Sequence, residues 1–217
     1  MKMNKYVVGT LALSAILTLG VHMPETSAAT KKTLLWSEEF NSKAGTAVSS
    51  KNWNYDIGDG TEAGIPGWGN SEREYYISSA IKQDGKGSAV ITAKRMVVPA
   101  GGQTSKTNPY MCYYGTACEW TSAKVTTLGK VGFQYGRMEA RIKNPKGVGM
   151  WPAFWMLGSD IKTNEWPACG EIDIMEAKGA SPKTAFGTAH GPGYSGGDAI
   201  GGLTQMKTLN YSGFNTY

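Results

Sequence analysis

From residue 30 onward the apolar positions come in short alternating runs and do not recur every three or four residues. Ala89-Val90-Ile91-Thr92-Ala93, Arg137-Met138-Glu139-Ala140-Arg141-Ile142 and Ala153-Phe154-Trp155-Met156-Leu157 are the clearest, each bounded by Gly, Pro, Asn or Asp. Alternation puts every second side chain on one face of an extended chain, and the bounding residues supply turns, so the pattern predicts strands. No stretch holds a 3.6-residue apolar period for three turns, which argues against a helical core. Two intervals rich in glycine or polar residues, 56–70 and 99–116, predict long loops of the kind that carry function. The sequence has neither an internal repeat nor a linker. The expectation is one all-β domain, a sandwich or a barrel.

The first 29 residues follow a different logic. Lys2 and Lys5 precede an apolar run over 6–21, and Ser27, Ala28 and Ala29 then offer small residues, with Ser27 and Ala29 at the −3 and −1 positions of a cleavage site. Basic, apolar, small is the order of a secretory signal peptide. The apolar run is short for a hydrocarbon layer about 30 Å thick. The expected organisation is a signal peptide over 1–29 and a domain over 30–217. The domain would be secreted to the extracellular space, with no membrane attachment after cleavage.

Composition sharpens this picture. The 217 residues include 29 Gly, 11 Tyr and 7 Trp with only 18% charged side chains, a balance that favours strands and turns over a bundle. The net charge of +5 is not gathered into Lys/Arg clusters, so no nucleic-acid partner is expected. In an exported chain Cys112 and Cys118 could close a small loop, leaving Cys169 unpaired, or could stand as free thiols. Beyond the leader, His190 is the sole histidine, which rules out multi-histidine zinc sites. A Ser–His–acid triad would lack a Gly-x-Ser-x-Gly elbow.

The chemistry concentrates in Glu171-Ile172-Asp173-Ile174-Met175-Glu176. In a regular strand Glu171, Asp173 and Met175 share a face, and Glu176 points the other way. One extra residue at Ile174–Met175, a β-bulge, brings Glu176 onto the face of Glu171 and Asp173 and leaves Ile172, Ile174 and Met175 to the core. Three carboxylates on one face repel one another, a cost that a structural role does not explain. Glycosidic bond cleavage does explain it, because it needs two carboxylates in different protonation states. Their spacing suits the separation of about 5–5.5 Å used in retention of configuration. Asp173 between them can hydrogen-bond a neighbour and fix its protonation. A calcium site would prefer acids on a flexible loop.

The segments Trp151-Pro152-Ala153-Phe154-Trp155-Met156-Leu157-Gly158 and Trp166-Pro167-Ala168-Cys169-Gly170-Glu171-Ile172-Asp173-Ile174-Met175-Glu176 resemble the family-16 glycoside hydrolases, specifically the bulged, laminarinase-type endo-β-1,3-glucanases. The likeness extends through Trp36-Ser37-Glu38-Glu39-Phe40, Gly67-Trp68-Gly69-Asn70-Ser71-Glu72-Arg73-Glu74-Tyr75-Tyr76, Tyr135-Gly136-Arg137-Met138-Glu139-Ala140-Arg141-Ile142-Lys143, Gly187-Thr188-Ala189-His190-Gly191 and Gly213-Phe214-Asn215-Thr216-Tyr217. The resemblance implies a jelly-roll sandwich of two antiparallel sheets with a concave cleft. It implies Glu171 as nucleophile, Glu176 as acid/base and Asp173 as the supporting carboxylate, with no cofactor for catalysis. The family continues past its Phe-x-Thr-Tyr segment into further strands, so the sandwich is expected to be incomplete at the C-terminus.

A sugar-binding cleft needs flat apolar surfaces and polar groups for hydroxyls. Trp151, Trp155 and Trp166 are the candidate platforms, and Trp68 joins the candidate cleft-lining residues. Asn70 and Arg137 match cleft-lining positions of the family. His190 matches a position beside the cleft and is expected to contact a hydroxyl. A structural calcium ion, drawn from the family pattern, would use Glu39 and a carbonyl near Gly85. The implied partner is a β-1,3-glucan of laminarin type, hydrolysed by a monomer. The alternatives are cleavage of mixed-linkage glucan or galactan, glucan binding without catalysis, and an inactive fragment.

Overall fold

A computed structural model describes residues 33–96, 109–181, 183–204 and 212–217. The leader 1–29 lies outside the described residues, as do 99–108 of the second long loop. By contacts the chain divides into a short N-terminal unit through Glu38, whose described residues 33–38 form neither helix nor strand, and a body over Glu39–Tyr217.

The body is mostly β-structure, with short 3-10 turns and no α-helix among the described residues. Its strands are β1 (Asn54–Asp56), β2 (Glu74–Tyr76), β3 (Ile81–Gln83), β4 (Ala89–Ile91), β5 (Lys94–Arg95), β6 (Trp120–Ser122) and β7 (Lys124–Thr126). They continue as β8 (Arg141–Ile142), β9 (Ala153–Leu157), β10 (Glu171–Ala177), β11 (Ala185–His190), β12 (Ile200–Thr204) and β13 (Asn215–Thr216). The largest sheet has the order β12-β11-β10-β9 and is antiparallel throughout. The remaining strands pair as β2-β6-β5, β1-β7, β3-β4 and β13-β8.

Two expectations need correction. The strands do not assort into two wholly antiparallel sheets, because β2 runs parallel to β6, with Glu74 opposite Trp120 and Tyr76 opposite Ser122. The run 137–142 is also shorter as a strand than its alternation suggests: only Arg141 and Ile142 pair with β13. Upstream of them Ala140 and Tyr217 exchange backbone hydrogen bonds of 3.1 and 3.0 Å, and residues 137–139 have no ladder partner among the described residues. By contrast, β9 has the bounds its alternation predicts.

Apolar side chains gather in two clusters. Val48, Ile81 and Ala123 are buried among Trp53, Tyr55 and Val125. Met175, Ala177 and Ala185 are buried under Ile142, Phe154 and Tyr217, and this second cluster lies beneath the strand that carries the acids. Met175 is 1% exposed, burial that contributes about 2 kcal/mol on hydrophobic grounds. Ile172 departs from its expected place in the core, since 51% of it is exposed. The clustered side chains gather at the Met175–Ala177 end of that sheet face, and Ile172 is not among them.

The loop over 56–70 is held from outside. Cys112 and Cys118 form a disulfide, and Cys169 is a free thiol. The buried Asp59 carboxylate accepts the backbone N–H groups of Thr61 and Tyr113, which ties that loop to the disulfide segment. Gly67, with φ of +60°, lies under the Tyr113 ring, where a Cβ would come within 2.7 Å of the ring.

Candidate active site

The three acids converge because β10 carries one residue too many. On the β11 side Asp173 faces Thr188 and Glu176 faces Phe186, so three steps along β10 match two along its neighbour. On the β9 side Asp173 faces Trp155 and Met175 already faces Phe154, which makes Ile174 the supernumerary residue. Residues directly opposite across an antiparallel ladder share a face. Glu171, Asp173 and Glu176 therefore lie on one face with Trp155 and Leu157 of β9 and with Phe186, Thr188 and His190 of β11. Without the bulge Glu176 would turn to the face of Ile172 and Ile174, and Met175 would take its place beside Glu171 and Asp173. Gly187 stands opposite the bulge, and a Cβ there would lie 3.1 Å from the Asp173 carbonyl oxygen.

Each glutamate is gripped by an indole. Trp166 Nε1 donates to Glu171 Oε2 at 2.5 Å, and Trp151 Nε1 donates to Glu176 Oε1 at 2.8 Å. Both tryptophans remain well exposed, at 44% and 48%, so each keeps ring surface free for a ligand. Asp173, 6% exposed, hydrogen-bonds Glu171 and also meets His190 Nε2 at 3.1 Å. The backbone N–H of Gly196 donates to His190 Nδ1 at 3.2 Å, which requires a lone pair there and puts the ring proton on Nε2, facing Asp173. Both imidazole nitrogens are thus engaged within the protein. His190 orients Asp173 instead of offering a free nitrogen to a sugar hydroxyl or to a serine.

Burial and repulsion set the proton affinities. Burial, the neighbouring charges of Glu171 and Glu176, and the bond to Glu171 raise Asp173 to about 7 from 3.8. Glu176 is also raised, first by burial and then by the Glu171 charge, while the Trp151 bond, His190 and Lys178 oppose the shift. Atoms of Glu171, Asp173 and His190 lie within 4.8 Å of one another, a spacing a cation could also use, but their bonds to each other and to Trp166 already occupy them.

The walls come from outside this sheet. The Trp68 ring meets that of Tyr76 in a tilted contact, centre to centre 5.8 Å, and lies under the Lys124 ammonium, which is 4.1 Å from its ring centre and 5.2 Å from that of Trp155. Burial lowers the pKa of Lys124, opposed by the charges of Asp56, Glu72 and Glu171. Nothing in the sequence marks Lys124, which sits in an ordinary strand pattern. Beyond Glu176, Lys178 lies 5.4 Å from the Trp151 ring centre and borders a groove of about 450 Å³ lined by Phe186, Thr188 and Gly201.

The remaining predicted residues are placed differently. Asn70 follows a 3-10 turn and donates to Glu72 at 3.4 Å. Arg137 pairs with Glu139 at 2.7 Å on an exposed stretch and makes no hydrogen bond or ion pair with the three acids. For the calcium expectation, a Cβ on Gly87 would lie 3.7 Å from the Glu39 carbonyl oxygen, and Gly85 packs against Ala44. No described acidic, histidine or cysteine cluster of three includes Glu39.

The chain is 35% identical over 191 residues to Glucan endo-1,3-beta-glucosidase A1 of Niallia circulans, an alignment covering 83% of this chain and 26% of that protein. It is 34% identical over 189 residues to a Beta-glucanase of Rhodothermus marinus, covering 85% of this chain and 57% of the relative. Among solved structures, the laminarinase catalytic domain of Thermotoga maritima matches with a TM-score of 0.73 and 42% identity, over 85% of this chain and 68% of that one. The chain thus spans from about a quarter to somewhat over half of the two curated relatives. Residues 75–217, which include all three acids and His190, match the model of the glycosyl hydrolases family 16, and the chain belongs to that family.

Proposed function

We propose that the protein is a secreted retaining endo-glycosidase that hydrolyses β-1,3-glucosidic bonds in laminarin-type glucans. The observation that carries this reading is the register shift at Ile174, which sets Glu176 on the face of Glu171 and Asp173. In its finer form the proposed fold is a jelly-roll sandwich of two sheets, supported by the likeness to the Thermotoga domain. Export rests on the basic, apolar and small-residue order of the first 29 residues. A structural calcium near Glu39 and Gly85 rests on the carbonyl oxygen that Glu39 presents beside Gly87.

The hydrogen bonds support different roles for the two glutamates. Glu171 receives donors from Trp166 and from protonated Asp173, an environment that suits a carboxylate acting as nucleophile. Burial raises the proton affinity of Glu176, the direction that suits a general acid. In the first step a Glu171 oxygen attacks the anomeric carbon, the glycosidic bond breaks, and the Glu176 proton passes to the leaving oxygen. In the second, Glu176 takes a proton from water, whose oxygen attacks the same carbon and displaces Glu171, restoring both groups and the original configuration. Burial, and the charge that one or the other flanking glutamate carries at each stage, favour the proton on Asp173, so it donates to Glu171 as that group gains and loses charge.

Incubation with laminarin, lichenan and agarose, followed by release of reducing ends, tests the reading. Laminarin should be cut fastest, with proton NMR showing the β-anomer first. Release from lichenan or agarose alone would reassign the substrate, and an initial α-anomer would rule out retention.

A further inference from the structure

Lys124 is the group in this site whose chemistry is least satisfied by the protein. Its side chain is 21% exposed, and an ammonium with three donors loses heavily on leaving water unless acceptors replace it. Asp56, its partner across the β1–β7 ladder, stands at 3.9 Å, an ion-pair distance beyond hydrogen-bond range. The other neighbours are the faces of Trp68 and Trp155, which attract the charge but accept no ordinary hydrogen bond. The Lys124 ammonium makes no hydrogen bond among the described residues. Nor is its nitrogen sealed away, since among the described residues the fully buried side-chain atoms without a partner are Tyr55 Oη and Asn144 Oδ1. The ammonium is held at a fixed height over Trp155, whose backbone faces that of Asp173 on the acid-bearing face.

We propose that Lys124 is a substrate-binding residue whose ammonium donates to a hydroxyl of the glucosyl unit that Glu171 attacks, with Trp68 and Trp155 holding it in place. The inference rests on the proposed glycosidase function and adds a specificity to it. Asp56, Glu72 and Glu171 already surround this one cation with carboxylates. A neutral hydroxyl completes the ammonium's hydrogen bonds, whereas a sulfate or carboxylate on the sugar would add to an existing negative excess. The site therefore selects neutral glucans over anionic polysaccharides.

The test compares wild type with Lys124→Met and Lys124→Arg on laminari-oligosaccharides, and measures oligosaccharide binding to Glu171→Gln and to the double variant E171Q/K124M by calorimetry. K124M should lose about 10- to 100-fold in kcat/KM, the range for a hydrogen bond from a charged group, with partial recovery in K124R. Binding to the double variant should weaken by a comparable factor. If K124M does not fold, Lys124→Gln is measured against the same threshold. A folded K124M within twofold of wild type in kcat/KM, or unweakened binding in the double variant, would make Lys124 a packing residue and overturn the inference alone. If Glu171→Gln hydrolyses laminarin like wild type, the nucleophile assignment fails, and the Lys124 inference falls with it.

Discussion

The register on both sides of β10 makes Ile174 the supernumerary residue, so a chain lacking it has a definite expected geometry. From Asp173 to Glu176 there are three steps on β10, matched by two from Thr188 to Phe186 on β11 and two from Trp155 to Ala153 on β9. Deletion of Ile174 makes all three counts equal and leaves a regular strand in which Glu171, Asp173 and Glu176 still alternate onto one face. Met175 stays on the buried side, opposite Phe154 as before. The deletion removes one partly buried isoleucine side chain, a loss of about 1–2 kcal/mol in stability. Its effect on rate should be small, within about tenfold of wild type, because the general acid is retained. Glu176→Gln should instead lose the roughly 10²- to 10⁴-fold that a general acid supplies. Reducing-end release from laminarin gives the rates, and near-ultraviolet circular dichroism reports folding. A folded deletion variant as inactive as Glu176→Gln would refute the parity account of the bulge.

Three further outcomes follow from the same site. Between 3.8 and about 7 the folded chain holds a proton on Asp173 that the unfolded chain has released, so stability should fall as pH rises through that window. Tm measured against pH should show this slope diminished in Asp173→Asn, and an unchanged slope would contradict it. Trp166→Phe removes one donor to Glu171 and should lower kcat about 10-fold or more with little change in Tm, since the ring is largely at the surface. Gly187→Ala places a Cβ 3.1 Å from the Asp173 carbonyl and should cost about 1–3 kcal/mol while reducing kcat, as denaturant titration and laminarin assays would show.

The reacting strand was readable because parity is an arithmetic property of sequence. Glu171, Asp173 and Glu176 share a face only if one residue is extra, and apolar Ile174 and Met175 leave one place for it. The alternation over 153–157 was equally plain, since both of its neighbours continue in a different conformation. Lys124 was not legible, because its meaning comes from Trp68 and Trp155, which lie far away along the chain and meet it only through tertiary packing. The same holds for the parallel pairing of β2 with β6, which no local pattern encodes. Trp151 and Trp166 were visible as flat surfaces, but their N–H groups, which point at the glutamates, were not. The partial exposure of Ile172 escaped prediction because alternation tells which way a side chain points and says nothing of what covers it.

Asp59 and the Cys112–Cys118 bridge secure the loop that carries Trp68 from a part of the chain far from the reacting strand. Opening that bridge in a thiol-rich compartment would free the Tyr113 segment from its short ring closure and loosen the loop that carries Trp68. The acids, mounted on a separate sheet, would keep their alignment. Protein made without oxidation should therefore grip its polymer poorly yet cleave whatever it does hold, a deficit of affinity that excess substrate would mask.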